Sequence, residues 1–311
     1  MKRVVIVVGV VILIIASLLT FPSCLHWMTL AWFSLILFAV AKDWACWPWI
    51  IGLALVMLVK RPGFSIEFLL LAVSLSIVLF VDWKVEKQKS KLPIFAIILV
   101  TTFALFSYAR WSATNVSSQL QLDERPIALL GDSLTDYGYP QELEKLLSVP
   151  VADFGVDGIN TDDGIEMLPQ IMASNPQLVV VELGGHDYNG DHKSRTATKA
   201  NLETLVQSFH ANNVHVVLIE IPRGFISDPY SGIEREITAK YDLQLIDDSL
   251  IRLLIFNSPF LPPGMWLDSS RRYSDDGLHP NENGNKFFAQ RVKDTLVKLY
   301  GRAILKPNLT K

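Results

Sequence analysis

The stretch LLGDSLTDYG, residues 129–138, determines the predicted fold of the second half of this 311-residue chain. A short apolar run, Ile127–Leu130, stops abruptly at Gly131-Asp132-Ser133, where a helix is expected to begin. A serine at such a junction is exposed at the carboxyl edge of a sheet, beside backbone N–H groups that a helix start leaves free. Ser133 is therefore either a nucleophile or an ordinary helix N-cap, a position that serine often takes.

Downstream of this junction, short apolar runs alternate with segments of helical periodicity. Runs rich in β-branched residues predict strands at 127–130, 151–154, 178–183, 215–221 and 243–246. The intervening segments predict helices at 141–147, 162–173, 196–211, 233–241 and 282–300. Such alternation is typical of a parallel sheet covered by helices on both faces, an α/β/α sandwich. Ligands of such folds bind beyond the carboxyl ends of the strands, where Ser133 is placed.

The first 109 residues differ, because five apolar runs follow one another with only short charged connections. The runs cover residues 4–21, 25–41, 44–59, 64–81 and 92–108. As a helix, the first run would extend about 27 Å, close to the thickness of the hydrocarbon core of a bilayer. We therefore expect about five transmembrane helices in residues 1–109, a polar linker at 110–125, a second domain at 126–302 and a tail at 303–311.

Basic residues predict the orientation of these helices, because cytoplasmic loops carry an excess of Lys and Arg. With the N-terminus inside, seven basic residues of the apolar part face the cytoplasm and three face outward. Five spans then place the second domain on the extracytoplasmic side of a bacterial inner or plasma membrane. If one of the shorter runs does not span, that domain is cytoplasmic. Two further alternatives are a signal peptide, with FPSC as a lipoprotein cleavage site at Cys24, and a set of buried helices in a soluble protein.

Charge and cysteine content bear on the possible ligands. Residues 1–110 carry ten Lys and Arg against four Asp and Glu, whereas the remaining residues carry 18 against 27. The acidic second half lacks the basic surface that nucleic-acid binding needs. The two cysteines, Cys24 and Cys46, lie in the apolar part, and no Cys/His cluster has the spacing of a zinc site. We expect no nucleic-acid partner, no metal and no cofactor.

A serine nucleophile needs a base, and the base needs an orienting partner. Among the six histidines, His279 lies in SDDGLHPNENG, residues 274–284, three positions after Asp276. An Asp-x-x-His turn can bring the carboxylate to Nδ1 of the imidazole and leave Nε2 for a hydroxyl. The alternative is a solvated loop before the last helix, in which neither residue acts.

Four blocks in this order resemble the SGNH, or GDSL-type, hydrolase family. In chain order they are Gly131-Asp132-Ser133, Gly155 in DFGVDGINT (153–161), Gly184-Gly185-His186-Asp187, and Asp276 with His279. The resemblance covers about residues 125–302. It implies the flavodoxin-like α/β/α sandwich of SGNH hydrolases and a serine esterase mechanism. Ser133 would attack an ester carbonyl, His279 would take and return the proton, and Asp276 would hold the imidazole.

The resemblance also assigns an oxyanion hole to the N–H groups of Ser133 and Gly155, completed by a side chain of the third block. Here the chain departs from the family, because His186 stands where the family has Asn. A neutral imidazole offers one N–H, and its tautomer decides where that N–H points. His186 is thus either the third oxyanion donor or a residue that binds substrate or packs. Asp153 replaces another common Asn, and Asp187 is expected to brace a loop.

We therefore predict a membrane-tethered serine ester hydrolase that acts on acyl or acetyl esters of lipid or envelope glycan. The alternatives are an O-acyltransferase with the same triad and a non-catalytic membrane scaffold with a hydrolase-like domain. The expected partners are the ester substrate and the lipid bilayer, and the sequence does not identify any protein partners. The segment SPFLPPGMWL, residues 258–267, is apolar for a loop. It is either a cover for the core, a wall of an acyl pocket or a lid that faces the membrane.

Overall fold

The computed structural model describes residues 9–14, 32, 36, 48–49, 51–53, 120–223, 228–230, 232–261 and 264–309. The chain divides into two compact units, Met1–Ser112 and Ala113–Lys311. In the first unit, residues 9–14 are helical, and Trp32 packs edge-on against Trp49 with ring centroids 6.4 Å apart.

The five predicted transmembrane helices lie almost wholly outside the described residues. Within the part of the chain that the structure describes, no helix is both long and apolar enough to cross a bilayer. The five spans in residues 1–109 therefore stay a prediction.

The second unit is built on a parallel sheet. Its strands are β1 (Ile127–Gly131), β2 (Val151–Gly155), β3 (Leu178–Glu182), β4 (His215–Ile219) and β5 (Gln244–Ile246). Their order across the sheet is β2-β1-β3-β4-β5, and every neighbouring pair is parallel. The two strands β1 and β3 are buried along their whole length, as expected for apolar runs in the middle of a parallel sheet. The predicted parallel α/β fold is confirmed.

Helices cover both faces of the sheet. They are α1 (Ser133–Asp136), α2 (Tyr139–Glu144), α3 (Thr161–Glu166), α4 (Leu168–Ala173), α5 (Gly185–Asn189), α6 (Arg195–Ala211), α7 (Ile233–Tyr241), α8 (Ser249–Phe256) and α9 (Glu282–Tyr300). The apolar residues of α2, α8 and α9 form one core with the sheet, and those of α4, α6 and α7 form the other. The result is a three-layer α/β/α sandwich.

The short helix α5 was not predicted, and α2 begins and ends earlier than predicted, but two other helical segments differ more. The helix expected at 162–173 is divided at Met167 into α3 and α4. Pro169 explains the break, because it has no N–H to donate to the Ile165 carbonyl and its ring occupies that space. The helix α8 was not predicted, since nearly all of its residues, SLIRLLIF, are buried and no polar face marks the helical period.

The packed domain extends beyond the predicted bounds of 126–302 at both ends. Leu120, in the predicted linker, packs against the core and donates its N–H to the Leu299 carbonyl at 2.7 Å. At the other end, Ile304 is buried and its carbonyl accepts the Ser148 N–H at 2.8 Å. These flanking segments therefore contribute to the stability of the domain.

Candidate active site

Three strand ends meet at the carboxyl edge of the sheet. Gly131, the last residue of β1, is in register with Gly155 of β2 and with Glu182 of β3. The loops that follow β1, β2 and β3 therefore open on the same side of the sheet, where parallel α/β folds bind their ligands.

Ser133 is the first residue of the short helix α1 and is almost fully buried. Asp132 caps this helix, because its carboxylate accepts the Leu134 N–H at 3.1 Å. The residue before Asp132 must be glycine, because the first turn of α1 packs against the end of β1. A Cβ at Gly131 would overlap the Thr135 hydroxyl. The cap is thus Asp132, and the Ser133 hydroxyl is left free for another partner.

That partner is His279, although it lies 146 positions further along the chain. The Oγ atom of Ser133 is 3.0 Å from Nε2 of His279. On the other side of the ring, Nδ1 is 2.7 Å from Oδ2 of Asp276. The structure therefore brings Ser133, His279 and Asp276 into one hydrogen-bonded chain.

Hydrogen bonds within the turn that Asp276 begins fix the position of its carboxylate. Its Oδ1 atom accepts the N–H groups of Leu278 at 2.9 Å and His279 at 2.8 Å, and the Ser274 hydroxyl at 3.1 Å. Burial raises the pKa of Asp276, but these hydrogen bonds and that of the His279 ring outweigh it and hold the pKa well below its usual range. Asp276 is therefore ionised beside the imidazole.

Residues 129–287 match the sequence model of the GDSL-like lipase/acylhydrolase family, and this range includes all three residues of the hydrogen-bonded chain. The chain belongs to this family. The prediction of an ester-hydrolysing enzyme of the GDSL type is thereby confirmed at the level of the family.

Individual relatives are similar over the same part of the chain. An arylesterase of Vibrio mimicus is 27% identical over 202 residues, which cover 59% of this chain and 93% of the arylesterase. The Escherichia coli K12 protein called thioesterase 1/protease 1/lysophospholipase L1 is 25% identical over 155 residues, 48% of this chain and 68% of that protein. The crystal structure of the psychrotrophic esterase EstA from Pseudoalteromonas sp. is 19% identical, covers 56% of this chain and 97% of EstA, and gives a TM-score of 0.47.

Tyr137 packs on His279 in this GDSL-type site, a contact that the sequence did not indicate. Its ring is stacked on the His279 imidazole, with centroids 4.4 Å apart and planes 11° from parallel. The Tyr137 carbonyl accepts a hydrogen bond from Nδ2 of Asn285 at 2.7 Å. Asn285 lies in the first turns of α9, so this contact ties the turn after Ser133 to the helix that follows His279.

Gly155 differs from the role that the resemblance assigns to it. Its N–H donates to Oδ1 of Asp153 at 2.9 Å, so it is not free to bind an oxyanion in this conformation. Glycine is required here for packing, because a Cβ would lie 2.6 Å from the Asp136 nitrogen. In the turn that follows, Gly158 has φ +78°, and its N–H has no partner among the described residues. A Cβ at Gly158 would lie 4.0 Å from Cε1 of His186, so this glycine faces the third block of the family.

His186 is half-buried on the short helix α5. Its ring nitrogens have no hydrogen-bond partner in the described part of the chain, unlike those of His279. Burial raises the pKa of Asp132, and the imidazoles of His186 and His279 oppose that rise. His186 therefore lies within electrostatic reach of the turn that carries Ser133, with an N–H available for a ligand.

Asp187, the last residue of the third block, braces the loops as the sequence predicted. Its buried carboxylate accepts the Thr161 N–H at 3.0 Å and the hydroxyls of Thr161 and Thr198. It thus ties α5 to the starts of α3 and α6. No group of three or more His, Cys, Asp or Glu within the described residues is placed to bind a metal ion.

Arg223 is a second brace that the sequence did not indicate. Its Nε donates to the Gly184 carbonyl at 2.9 Å, and its Nη2 donates to Oε1 of Glu234 at 2.6 Å. Both side chains are essentially inaccessible to solvent, at 0% and 3% exposure. Arg223 therefore fixes the backbone immediately before α5 and His186.

Replacing Arg223 by Met is expected to destabilise the domain by about 3–5 kcal/mol, because Glu234 would keep a buried charge without a partner. Thermal and denaturant unfolding of the purified protein measure this change. The double variant Arg223→Met/Glu234→Leu removes both charges and is expected to recover most of the loss. A single variant as stable as the wild type would contradict the importance of this ion pair.

Proposed function

We propose that the chain is a membrane-tethered serine ester hydrolase with Ser133 as nucleophile, His279 as general base and Asp276 as the residue that orients the base. The observation that carries this proposal is the hydrogen-bonded chain from Ser133 Oγ to His279 Nε2, 3.0 Å, and from His279 Nδ1 to Asp276 Oδ2, 2.7 Å. The ionised Asp276 favours the tautomer with the proton on Nδ1, so the lone pair of Nε2 faces the serine hydroxyl.

The reaction follows from this arrangement in two steps. Ser133 Oγ attacks the ester carbonyl while His279 takes its proton, and His279 then returns the proton to the leaving alcohol. The resulting acyl-enzyme is hydrolysed when His279 takes a proton from water, which attacks the same carbonyl carbon. The bond from that carbon to Ser133 Oγ then breaks, and His279 returns the proton to Oγ, which releases the acid and restores the free enzyme. Asp276 stabilises the imidazolium that forms in both steps without itself accepting a proton.

The oxyanion of each tetrahedral intermediate needs N–H donors. The Ser133 N–H is at a helix start and has no partner among the described residues, and the same is true of the Gly158 N–H. We assign these two donors to the oxyanion hole, with the His186 ring as the third. Gly158 replaces Gly155 in this assignment, because the Gly155 N–H already donates to Asp153.

Variants of His186 test the third donor. Replacing His186 by Ala is expected to lower kcat by about 10²- to 10³-fold, the usual cost of removing one oxyanion donor. The variant His186→Asn restores an amide N–H and is expected to keep or exceed wild-type activity on p-nitrophenyl acetate. Steady-state kinetics of the three proteins measure the effect. Activity that is lost completely in His186→Asn would contradict the oxyanion role and indicate a more specific task.

We further propose that the natural esters, of lipid or envelope glycan, carry an acyl group longer than acetyl. Exposed apolar side chains lie beside the acid–base turn and support this substrate class. Tyr137, 47% exposed, is stacked on His279, and Leu278, 45% exposed, precedes it. The Phe260 ring, 68% exposed, packs on Gly277, where a Cβ would lie 2.7 Å from it. An acyl chain bound at Ser133 would cover this apolar surface and gain from its burial.

Replacing Phe260 by Ser is expected to lower kcat/KM for p-nitrophenyl octanoate about tenfold relative to the acetate, since about two methylene groups would lose their contact at ~0.8 kcal/mol each. A series of ester chain lengths measures this ratio. The control Leu309→Ser removes an exposed apolar side chain from the last turn of the domain, near the opposite edge of the sheet, and should leave the ratio unchanged. An unchanged ratio in Phe260→Ser would overturn the assignment of this surface.

The location of the domain is also a proposal. The five apolar runs of residues 1–109 and the excess of basic residues predicted for the cytoplasmic side support an inner or plasma membrane anchor. The acidic domain would then act on the extracytoplasmic side. A reporter fused after Lys311 tests this topology: activity of a reporter that folds only outside the cytoplasm supports it, and activity of a cytoplasmic reporter contradicts it.

The proposed activity is tested on the purified full chain with p-nitrophenyl butyrate and a fluorophosphonate probe. We expect hydrolysis of the ester and covalent labelling of the protein. Labelling without turnover would favour acyl transfer to an acceptor other than water. No labelling and no hydrolysis would favour the non-catalytic scaffold and overturn the proposal.

A further inference from the structure

Two carboxyl groups, those of Asp132 and Glu182, are buried directly beneath the turn that carries Ser133. Glu182 is fully buried at the end of β3, and Asp132 is only 5% exposed. The backbone N–H of Asp132 donates to the Glu182 carbonyl at 3.3 Å. Each carboxyl group also influences the pKa of the other, so the two side chains are close neighbours. Asp132 directly precedes Ser133, the proposed nucleophile, so the pair lies next to it.

Each carboxyl group has a second contact that fixes its place. Oε2 of Glu182 lies over Gly131, 2.8 Å from where a Cβ would stand, and accepts the Thr135 hydroxyl at 3.2 Å. Oδ1 of Asp132 accepts the Leu134 N–H at 3.1 Å. In contrast, Oε1 of Glu182 receives no hydrogen bond from any described residue. This is the environment expected for a carboxyl oxygen that carries a proton and donates it.

The burial of the pair, and the lack of a neighbouring cation in the described part of the chain, favour one proton on it. No Lys or Arg of the described residues forms an ion pair with either carboxyl group. The other titratable groups that face the pair are Tyr139 from α2, His186 from α5 and His279 from the turn before α9. Two adjacent carboxylates away from water would repel each other without compensation. Burial, and then the neighbouring Asp132 carboxyl, raise the pKa of Glu182 well above its usual value, so the proton is on Glu182.

We propose that Glu182 is a positioning residue that donates from its protonated carboxyl group to the Asp132 carboxylate and thereby fixes the turn that presents Ser133. Asp132 is the cap of α1, so the orientation of its side chain sets the first turn of that helix. The Leu134 N–H holds this side chain from one side and Glu182 from the other. The inference deepens the proposed function, since it rests on Ser133 being the nucleophile.

Two substitutions of similar size separate this role from simple packing. The amide in Glu182→Gln cannot ionise, but it still donates to Asp132 and accepts from Thr135. We expect it to keep kcat/KM for p-nitrophenyl butyrate within about threefold of the wild type. Glu182→Met fills the space without a donor, and we expect a fall of about 100-fold, the scale of a misplaced reacting group. Wild-type activity in Glu182→Met would overturn the proposal, and so would a loss in Glu182→Gln as large as that in Glu182→Met.

Infrared difference spectroscopy tests the protonation state directly and does not need the Met variant to fold. In the spectrum of the full-length wild type minus that of Glu182→Gln at neutral pH, we expect the C=O stretch of a protonated carboxylic acid. Carboxylate bands in its place would show that Glu182 is ionised and would overturn the proposal. This readout is independent of Ser133, so a wild-type protein that shows the acid band but does not react with fluorophosphonate would contradict the proposed function alone.

Discussion

Replacing Ser133 by Ala is expected to lower kcat/KM for p-nitrophenyl butyrate by about 10⁴- to 10⁶-fold, the range seen when the nucleophile of a triad is removed. The hydroxyl of Ser133 is the group that Nε2 of His279 can deprotonate, at 3.0 Å, and alanine leaves the base with no nucleophile to activate. Initial rates at several substrate concentrations measure the loss. Any remaining activity would come from the N–H donors, which stay in place.

A matched control for this variant is Ser148→Ala. The Ser148 hydroxyl is exposed and donates to the Ala303 carbonyl at 3.1 Å. Ser148 lies in the loop before β2, at the amino ends of the strands, whereas Ser133 lies at their carboxyl ends. Its removal should leave the kinetics close to those of the wild type. If Ser133→Ala lowers kcat/KM by less than about tenfold while folding normally, another residue performs the attack.

Replacing Asp276 by Asn is expected to lower kcat by about 10⁴-fold, as an Asp-to-Asn change does in a serine protease triad. The amide oxygen of Asn would still accept the hydrogen bonds that Oδ1 of Asp276 now accepts from the N–H groups of Leu278 and His279. The amide NH₂ would then face Nδ1 and donate to it. The imidazole would have to carry its proton on Nε2, so it could no longer take the proton of Ser133.

The neighbouring Asp275 provides the control, because it is exposed and has the same chemistry. The variant Asp275→Asn makes the same change of charge one position away and should keep wild-type rates. Equal losses in both variants would indicate a general effect of charge on this loop. Unchanged rates in Asp276→Asn would show that His279 does not need this carboxylate, against the mechanism proposed above.

Much of the fold was predictable because local sequence and tertiary structure agree. The strands β1 and β3 are continuous apolar runs, and the predicted bounds of α7 and α9 match those in the structure. The helix α8 could not be predicted in this way, because burial on all sides removes the polar face on which helical periodicity depends.

The site residues could be predicted where they occur at a fixed spacing in the sequence. Contacts between residues of distant segments could not be predicted. The Asp-x-x-His turn and the serine after β1 indicated which residues the fold brings together. Two glycines lie close together in the chain: Gly155 ends β2 and packs against α1, and Gly158 has a positive φ in the turn that follows. Spacing alone did not distinguish them. The contact of Glu182 with Asp132 depends on the order of strands in the sheet, which the sequence does not specify.

Peptide mapping by mass spectrometry after fluorophosphonate treatment is the most direct test of the mechanism. The account predicts one stoichiometric adduct, on the peptide that contains Ser133, and its formation should be greatly slowed in His279→Ala. An adduct on a different residue, or full ester hydrolysis by a protein whose Ser133 stays unmodified, would contradict the claim that Ser133 and His279 form the reactive pair.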